Sequence, residues 1–308
     1  MSTPRPPLTP PAPSAEPHGG APAGPARTVV LTGATGFVGR QIHAALAARG
    51  HTVRAVLRTG TASRLAAPAQ VIETDDLFAR DAAFWTEAAA GADTLVHAAW
   101  EATPGQYLAS PLNLDCVRGS LALARGAAEA GIGHVIGIGT CFEYALPSAH
   151  LDVTAPLGPT SLYATAKLGL YHTLAAFFAG TGTPFSWARL FYLYGEGEHP
   201  SRLVAHIRAR LAAGEVAQLS AGTQVRDFLD VREAGAMVAR IVDTRQLGAI
   251  NICSGVPVTV RQLAERTADA LGRRDLLSFG SAPPRPGDPA VVVGVCNLER
   301  AESEGPER

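Results

Sequence analysis

Three glycines spaced three apart constrain this chain most: Gly33, Gly36 and Gly39 join a short apolar run to an amphipathic segment. Thr28-Val29-Val30-Leu31-Thr32 reads as a buried strand. Arg40 to Arg49 reads as a helix, with Ile42, Ala45, Leu46 and Arg49 at helical spacing and Gly50 as its stop. A turn of this kind aims the free N–H groups and positive dipole of a helix N-terminus at an anion. Gly33 permits the tight turn, Gly36 lets backbone approach a pyrophosphate, and Gly39 lets the helix pack closely on the sheet. Thr35, Phe37 and Val38 complete the cradle.

The rest of the chain sustains an alternation of strands and helices. Strands are expected at His51 to Leu57, Gln70 to Glu73, Asp93 to His97, His134 to Gly139 and Pro184 to Leu190. Helices are expected around Phe84 and Trp85, over Leu112 to Ala130 and over Leu162 to Phe178. That rhythm predicts an α/β fold with a doubly wound parallel sheet covered on both faces. Beyond residue 190 the rhythm loosens into short helices (Arg202 to Ala213, Val231 to Thr244, Val260 to Leu271) between apolar runs. The expected organisation is a dinucleotide-binding domain over 27–190 and a smaller C-terminal α/β substrate lobe over 191–308. Residues 1–26 carry nine prolines among Ala, Ser and Gly, and read as a disordered tail without catalytic role. A mis-assigned start codon would explain the tail equally well.

Tyr163 and Lys167 are four residues apart, hence on one face of the expected helix. A free phenol has a pKa near 10, and a neighbouring ammonium favours its phenolate. Such a tyrosine can exchange a proton with a carbinol oxygen. The G-x-x-G-x-x-G spacing followed by Tyr163-Ala164-Thr165-Ala166-Lys167 resembles the short-chain dehydrogenase/reductase superfamily, its extended nucleotide-sugar branch in particular, from about residue 27 onward. The resemblance implies that Thr140, at the end of the fifth strand, joins Tyr163 and Lys167 as catalytic residues, and that Tyr163 and Lys167 also touch the cofactor. It implies that Asp76 and Leu77 hold an adenine ring and that His97, Ala98 and Ala99 line the cofactor. The Asn usual three residues before Gly119-Ser120 is replaced by Cys116, and Asn113 lies three residues early.

The second strand ends Val56-Leu57-Arg58, with Leu57 where an NAD enzyme places an acid. A guanidinium at Arg58 suits a ribose 2′-phosphate, so NADP is the expected cofactor and NAD the alternative. Arg189-Leu190-Phe191-Tyr192-Leu193-Tyr194-Gly195 resembles the R-x-F-N-x-Y-G stretch of the family, with Tyr192 in place of Asn. Arg226 and Arg285 resemble diphosphate-gripping arginines, and Tyr192 and Arg202 stand at substrate-contacting positions. The resemblance implies a nucleotide-sugar substrate. Dehydratases of the family carry Asp-Glu directly after the catalytic Thr; here stand Cys141 and Phe142, and Glu143 comes one place too late. Epimerase-reductases of the GDP-fucose synthase kind need a Cys and a His whose positions fall near Phe142 and Arg202. The chemistry left is NAD(P)H-dependent reduction of a 4-keto (deoxy)sugar nucleotide, with 4-epimerisation on tightly bound NAD as the alternative. A small-ketone reductase and a non-catalytic NADP sensor are weaker readings. The family's closing Trp-x-Pro segment is missing, so the last lobe is expected to be reduced or the chain truncated.

A net charge of −1 offers no basic excess for nucleic acid, and no run approaches the ~20 apolar residues of a membrane span. Cys116, Cys141, Cys253 and Cys296 match no zinc spacing, so no metal is expected and the thiols read as free in a reducing, cytoplasmic setting. Dimerisation through the two long helices is what the resemblance implies.

Overall fold

The computed structural model describes residues 25–283 and 287–299. The first half runs β1 (Thr28–Thr32), α1 (Phe37–Ala48), β2 (Thr52–Arg58), β3 (Gln70–Thr74), α2 (Ala82–Ala89), β4 (Thr94–His97), α3 (Leu112–Glu129), β5 (His134–Thr140), β6 (Ser148–Leu151), α4 (Leu162–Thr181) and β7 (Phe185–Leu190). The second half runs β8 (Tyr192–Tyr194), α5 (Leu203–Ala212), β9 (Ala217–Leu219), β10 (Val225–Asp230), α6 (Val231–Thr244), β11 (Gly248–Ile252), β12 (Pro257–Thr259), α7 (Val260–Asp269), β13 (Leu277–Phe279) and β14 (Val291–Gly294).

Seven parallel strands form the main sheet in the order β11-β7-β5-β4-β1-β2-β3. Their residues alternate between two cores, as a doubly covered sheet requires. Val29, Leu31, Ala55, Leu57 and Val96 pack with Ile42 and Leu46 of α1 and Val238 and Ile241 of α6. Val30, Val56 and Leu95 pack with Trp85 of α2, Leu123 of α3 and Leu170, Leu174 and Phe178 of α4. The helix ends are written locally. Ser161 Oγ accepts from Ala164 N at 3.2 Å to start α4, and Gly182 closes it at φ 72°. Thr259 and Gln262 form a reciprocal cap on α7.

The boundary expected at residue 190 is not where the main sheet ends. Strand β11 pairs with β7 as the seventh strand, and α6 covers the same sheet face as α1. The chain leaves the large layer after β7, builds part of the lobe, and returns. The smaller lobe holds the sheet β12-β10-β14-β6, with β8 also paired to β10, and the pair β13-β9 beneath α5 and α7. The expected truncation falls on residues 300–308, outside the described residues, as do residues 1–24 of the tail expected over 1–26.

Strand order reverses between β1 and β4, and a buried relay ties these two strand ends to α3. Ala99 N donates to Thr32 Oγ1 (3.1 Å), and Thr32 Oγ1 meets His97 Nδ1 (2.8 Å). His97 Nε2 meets Ser120 Oγ (2.8 Å), which donates to the Cys116 carbonyl (2.7 Å). Because Ser120 spends its proton on Cys116, His97 must donate from Nε2 and accept at Nδ1. Burial, reinforced by the Lys167 charge, lowers the His97 pKa from 6.5 to about 3 and keeps the ring neutral. Burial, then Arg245 and Arg27, lowers His134 to about 4. A folded-state pKa below the unfolded one stabilises above pH 6.5, and that stability is lost as pH falls toward the folded value. Each such histidine gives a slope of about 1.4 kcal/mol per pH unit. His97→Gln, which can both donate and accept, is expected to remove one such slope between about pH 6.5 and 4, as read from urea midpoints. An unchanged slope would show that His97 does not titrate on unfolding.

Candidate active site

The glycine turn leaves β1 at the reversal point and faces the loop after β4. Gly33 has φ 74°, and a Cβ there would lie 2.7 Å from Ala99 N, so only glycine permits this turn beside Ala98 and Ala99. A Cβ on Gly39 would lie 2.0 Å from the Gly33 carbonyl, so Gly39 lets α1 begin directly against the turn. Gly36 is exposed and is the N-cap of α1, and no side chain caps that terminus. The first N–H groups of α1, from Phe37, Val38 and Gly39, therefore lack both intrahelical acceptors and a capping side chain. An uncapped helix start behind a glycine turn fits a dinucleotide pyrophosphate. Thr35 lies in this turn and its carbonyl accepts from Arg64 Nη2 at 3.2 Å.

At the adenosine end, Leu57 is buried in the core and Arg58 is exposed at the tip of β2. Arg64 stands across the same edge, close to the glycine turn, and sequence reading did not single it out. Asp76 caps the turn that follows β3, accepting from Phe78 N at 2.8 Å, with Leu77 half-buried next to it.

The three expected catalytic side chains come together from β5 and α4. Thr140 ends β5 next to Tyr163, and its hydroxyl lowers the Tyr163 pKa. Lys167 is buried one helical turn beyond Tyr163, and its Nζ donates to the Ile138 carbonyl at 2.7 Å. Burial lowers the Lys167 pKa to about 7, against a raising effect of Glu143. Burial, then Tyr107 and Glu143, pushes the Tyr163 hydroxyl upward, opposed by the Thr140 hydroxyl.

Two aromatic residues that the motifs did not reveal close over this pair. The Trp100 ring lies 3.7 Å from Lys167 Nζ, and the Tyr107 ring meets Tyr163 edge-on at 4.9 Å. Asn113 pins both: it accepts from Trp100 Nε1 (2.8 Å) and donates to the Tyr107 (2.7 Å) and Ser110 (2.8 Å) carbonyls. Asn113 thus organises the loop rather than standing in for the missing family Asn. Cys116, at that position, accepts from Glu101 N at 3.4 Å. The available signal was Trp100 itself, directly after His97-Ala98-Ala99.

Glu143 holds the floor of the site. Its carboxylate accepts from Thr140 N (2.9 Å), Trp187 Nε1 (3.0 and 3.1 Å) and Arg189 Nε (2.7 Å). Arg189 Nη1 donates to the Tyr144 hydroxyl (3.0 Å), which donates to Asn251 Oδ1 (2.7 Å). Glu143 and Arg189 side chains are 0% and 1% exposed. Removing one partner of a buried pair strands the other charge at a cost of about 3–5 kcal/mol.

Of the two expected phosphate contacts, Arg226 is spent on other partners. Arg226 is 2% exposed, and its guanidinium bonds Asp288 (2.6 Å), the Pro289 carbonyl and the Val225 carbonyl. Its charge is neutralised inside the lobe, so it is no open fork for a diphosphate. Arg202 bonds Glu198 (3.2 Å) and the Leu193 carbonyl (3.0 Å) and lies over Phe37, linking the lobe to the glycine turn. Tyr192 meets Phe142 and Phe228 edge-on, with Arg226 above its ring. Arg285 lies outside the described residues. Among those residues no cluster of His, Cys, Asp or Glu could hold a metal, and no helix is long and apolar enough to cross a membrane.

Glu143→Gln is expected to destabilise the protein by about 3–5 kcal/mol in chemical denaturation, and Glu143→Gln with Arg189→Met to recover much of the loss. A loss in the double variant equal to the sum of the Glu143→Gln and Arg189→Met losses would deny the coupling of the pair.

The model of the NAD dependent epimerase/dehydratase family matches residues 29–253. Among curated proteins, the chain is 26% identical over 241 residues to the dTDP-6-deoxy-L-talose 4-dehydrogenase (NAD(+)) of Aggregatibacter actinomycetemcomitans, covering 77% of this chain and 88% of that protein. It is 25% identical over 299 residues to UDP-glucose 4-epimerase of Corynebacterium glutamicum, covering 90% and 89%. Its fold matches UDP-N-acetylglucosamine 4-epimerase from Methanobrevibacter ruminantium with a TM-score of 0.79 and 24% identity, over 91% of this chain and 93% of that one. With the glycine cradle on one side and Thr140, Tyr163 and Lys167 on the other, the chain is an NAD(P)-binding enzyme that belongs to the NAD-dependent epimerase/dehydratase family.

Proposed function

We propose that this enzyme reduces a 4-keto deoxysugar carried on a nucleoside diphosphate, with NADPH as the preferred reductant. The observation that carries the reading is the state of the three residues after Thr140. Cys141 is buried, and burial followed by the Asp227 carboxylate pushes its thiol pKa far up. Phe142 has no proton to move. Glu143 is committed to Thr140, Trp187 and Arg189. No group at these positions can help expel water from a sugar, which leaves chemistry that needs only Thr140, Tyr163 and Lys167.

The nicotinamide, when bound, supplies the two-electron redox chemistry at the sugar carbon. The glycine turn and the α1 N-terminus would hold its pyrophosphate, and Arg58 and Arg64 would meet a ribose 2′-phosphate. Tyr163 keeps its proton at neutral pH and donates it to the carbonyl oxygen. Thr140, next to Tyr163, steadies that oxygen. Lys167 in its charged form favours the phenolate left behind. Trp100 and Tyr107 exclude water around the pair. Two relatives support the class: besides the talose dehydrogenase above, a dTDP-6-deoxy-L-talose 4-dehydrogenase (NAD(P)(+)) of Kitasatospora kifunensis is 28% identical over 262 residues. The 4-epimerase relatives support a second reading, because transient oxidation at C4 would use the same three residues.

Purified enzyme with NADPH and a panel of 4-keto-6-deoxy nucleotide sugars is expected to oxidise the cofactor, and Tyr163→Phe to lose at least ~10²-fold. Interconversion of 4-hydroxy epimers on tightly bound NAD, without NADPH oxidation, would replace this reading by the epimerase. The reductive kcat/KM should fall as pH rises through about 7, where Lys167 loses its proton, and Lys167→Arg should move the fall upward. A flat profile would remove the Lys167 charge from the mechanism. Arg58→Ala should raise the KM for NADPH roughly 10-fold or more and leave that for NADH unchanged; equal effects on both would deny a 2′-phosphate contact.

A further inference from the structure

Two cysteines that the reaction does not use meet where β11 and β14 approach each other. Cys253 follows the last residue of β11 and is buried; Cys296 lies two residues beyond β14 and is exposed. Gly294, two residues before Cys296, lies against the Cys253 sulfur, and each thiol shifts the pKa of the other. A Cβ on Gly294 would lie 2.7 Å from Cys253 Sγ, so the sulfur rests on glycine backbone and the approach depends on Gly294 having no side chain. The segment carrying Cys296 is held in register by its neighbours. Asn297 Oδ1 accepts from Asn251 N (2.8 Å), Asn297 Nδ2 donates to the Ala249 carbonyl (3.0 Å), and Asn251 Nδ2 donates to the Val295 carbonyl (3.1 Å).

The two sulfurs are unequal. The Cys253 thiol, the Leu298 N–H and the Arg240 charge lower the Cys296 pKa, against raising effects of burial and the Asp227 carboxylate. The Cys296 thiol, then burial and the Asp227 carboxylate, hold the proton on Cys253. Cys296 is the exposed thiol and the one an oxidant can reach, and its buried neighbour can only follow.

We propose that Cys253 and Cys296 are a reversible dithiol/disulfide couple, with Cys296 as the attacking thiol, Cys253 as the resolving thiol and a low-molecular-weight disulfide as the oxidant. The Cys296 thiolate attacks one sulfur of that disulfide; its S–S bond breaks and one thiolate leaves. Cys253 then attacks the Cys296 sulfur of the mixed disulfide, and its proton goes to the second departing thiolate. The two protein thiols are oxidised to one disulfide, and the small disulfide is reduced to two thiols. The new bond joins residues that already flank the Asn251–Asn297 contact, so it clamps β11 and β14 as they stand.

The couple is tested on the full-length protein with glutathione disulfide, by intact mass and peptide mapping before and after dithiothreitol. Wild type is expected to pass through a glutathione adduct at Cys296 to a linked Cys253–Cys296 peptide pair, losing two hydrogens and gaining thermal stability. Dithiothreitol should reverse both changes. C253S should stop at the adduct on Cys296, and C296S should form neither. A stable adduct on wild type that never resolves overturns the couple, as does a wild type whose two thiols both stay alkylatable. A first adduct on Cys253 overturns the assigned order. The adduct time course on wild type decides the matter even if C253S fails to fold.

Discussion

One buried carboxylate decides how the floor of the site is built. Glu143 sits with no solvent exposure and accepts from the Thr140 backbone, the Trp187 indole and the Arg189 guanidinium. An ionised group in that setting is tolerated only with its oxygens satisfied and its charge matched. The donors come from the end of β5 and from β7, and Arg189 passes the network to Tyr144 and on to Asn251 of β11. Three strands of the main sheet are thereby locked in register beneath Thr140. Glu143 lies within reach of the charges that set Lys167 and Tyr163, and raises the pKa of both. The same commitment removes it from chemistry, so one interaction both positions the catalytic hydroxyls and narrows the reactions open to them.

The second organising element is the reversal of strand order between β1 and β4. Parallel strands on either side leave a crevice at their carboxyl ends, and the glycine turn opens into it. Gly33 can approach Ala98 and Ala99 only without a side chain. The relay from Ala99 through Thr32, His97 and Ser120 to Cys116 uses every donor and acceptor once, which fixes the histidine tautomer. The loop after β4 joins cradle and catalytic helix: Ala98 and Ala99 meet Gly33, and Trp100 and Tyr107 meet Lys167 and Tyr163.

The strands and helices expected up to residue 190 stand within a few residues of where periodicity places them, because apolar alternation and glycine stops are local signals; β6 is not among them. The same holds for α6, which runs from Val231 to Thr244 as its pattern indicates. What periodicity could not express is that α6 and β11 return to the large sheet after an excursion into the lobe. That return depends on distant partners: β11 pairs with β7, about sixty residues upstream, and α6 packs on α1, nearly two hundred residues upstream. Arg226 illustrates the same limit at one residue. Its neighbours in sequence match a phosphate-gripping segment, yet Asp288, sixty-two residues away, takes its charge.

By itself, then, the sequence determined the nucleotide-binding architecture, the glycine cradle and the Tyr163–Lys167 face, since each rests on spacings within a single turn or helix. Tertiary structure alone decided how the charges are spent: Glu143 on Arg189, Arg226 on Asp288, Asn113 on Trp100, and Cys253 beside Cys296. The reason is physical. A residue's periodicity reports which face it lies on, but its protonation, its partners and its access to a substrate depend on which distant groups desolvate or neutralise it, and those meet only when the sheet and lobe are assembled.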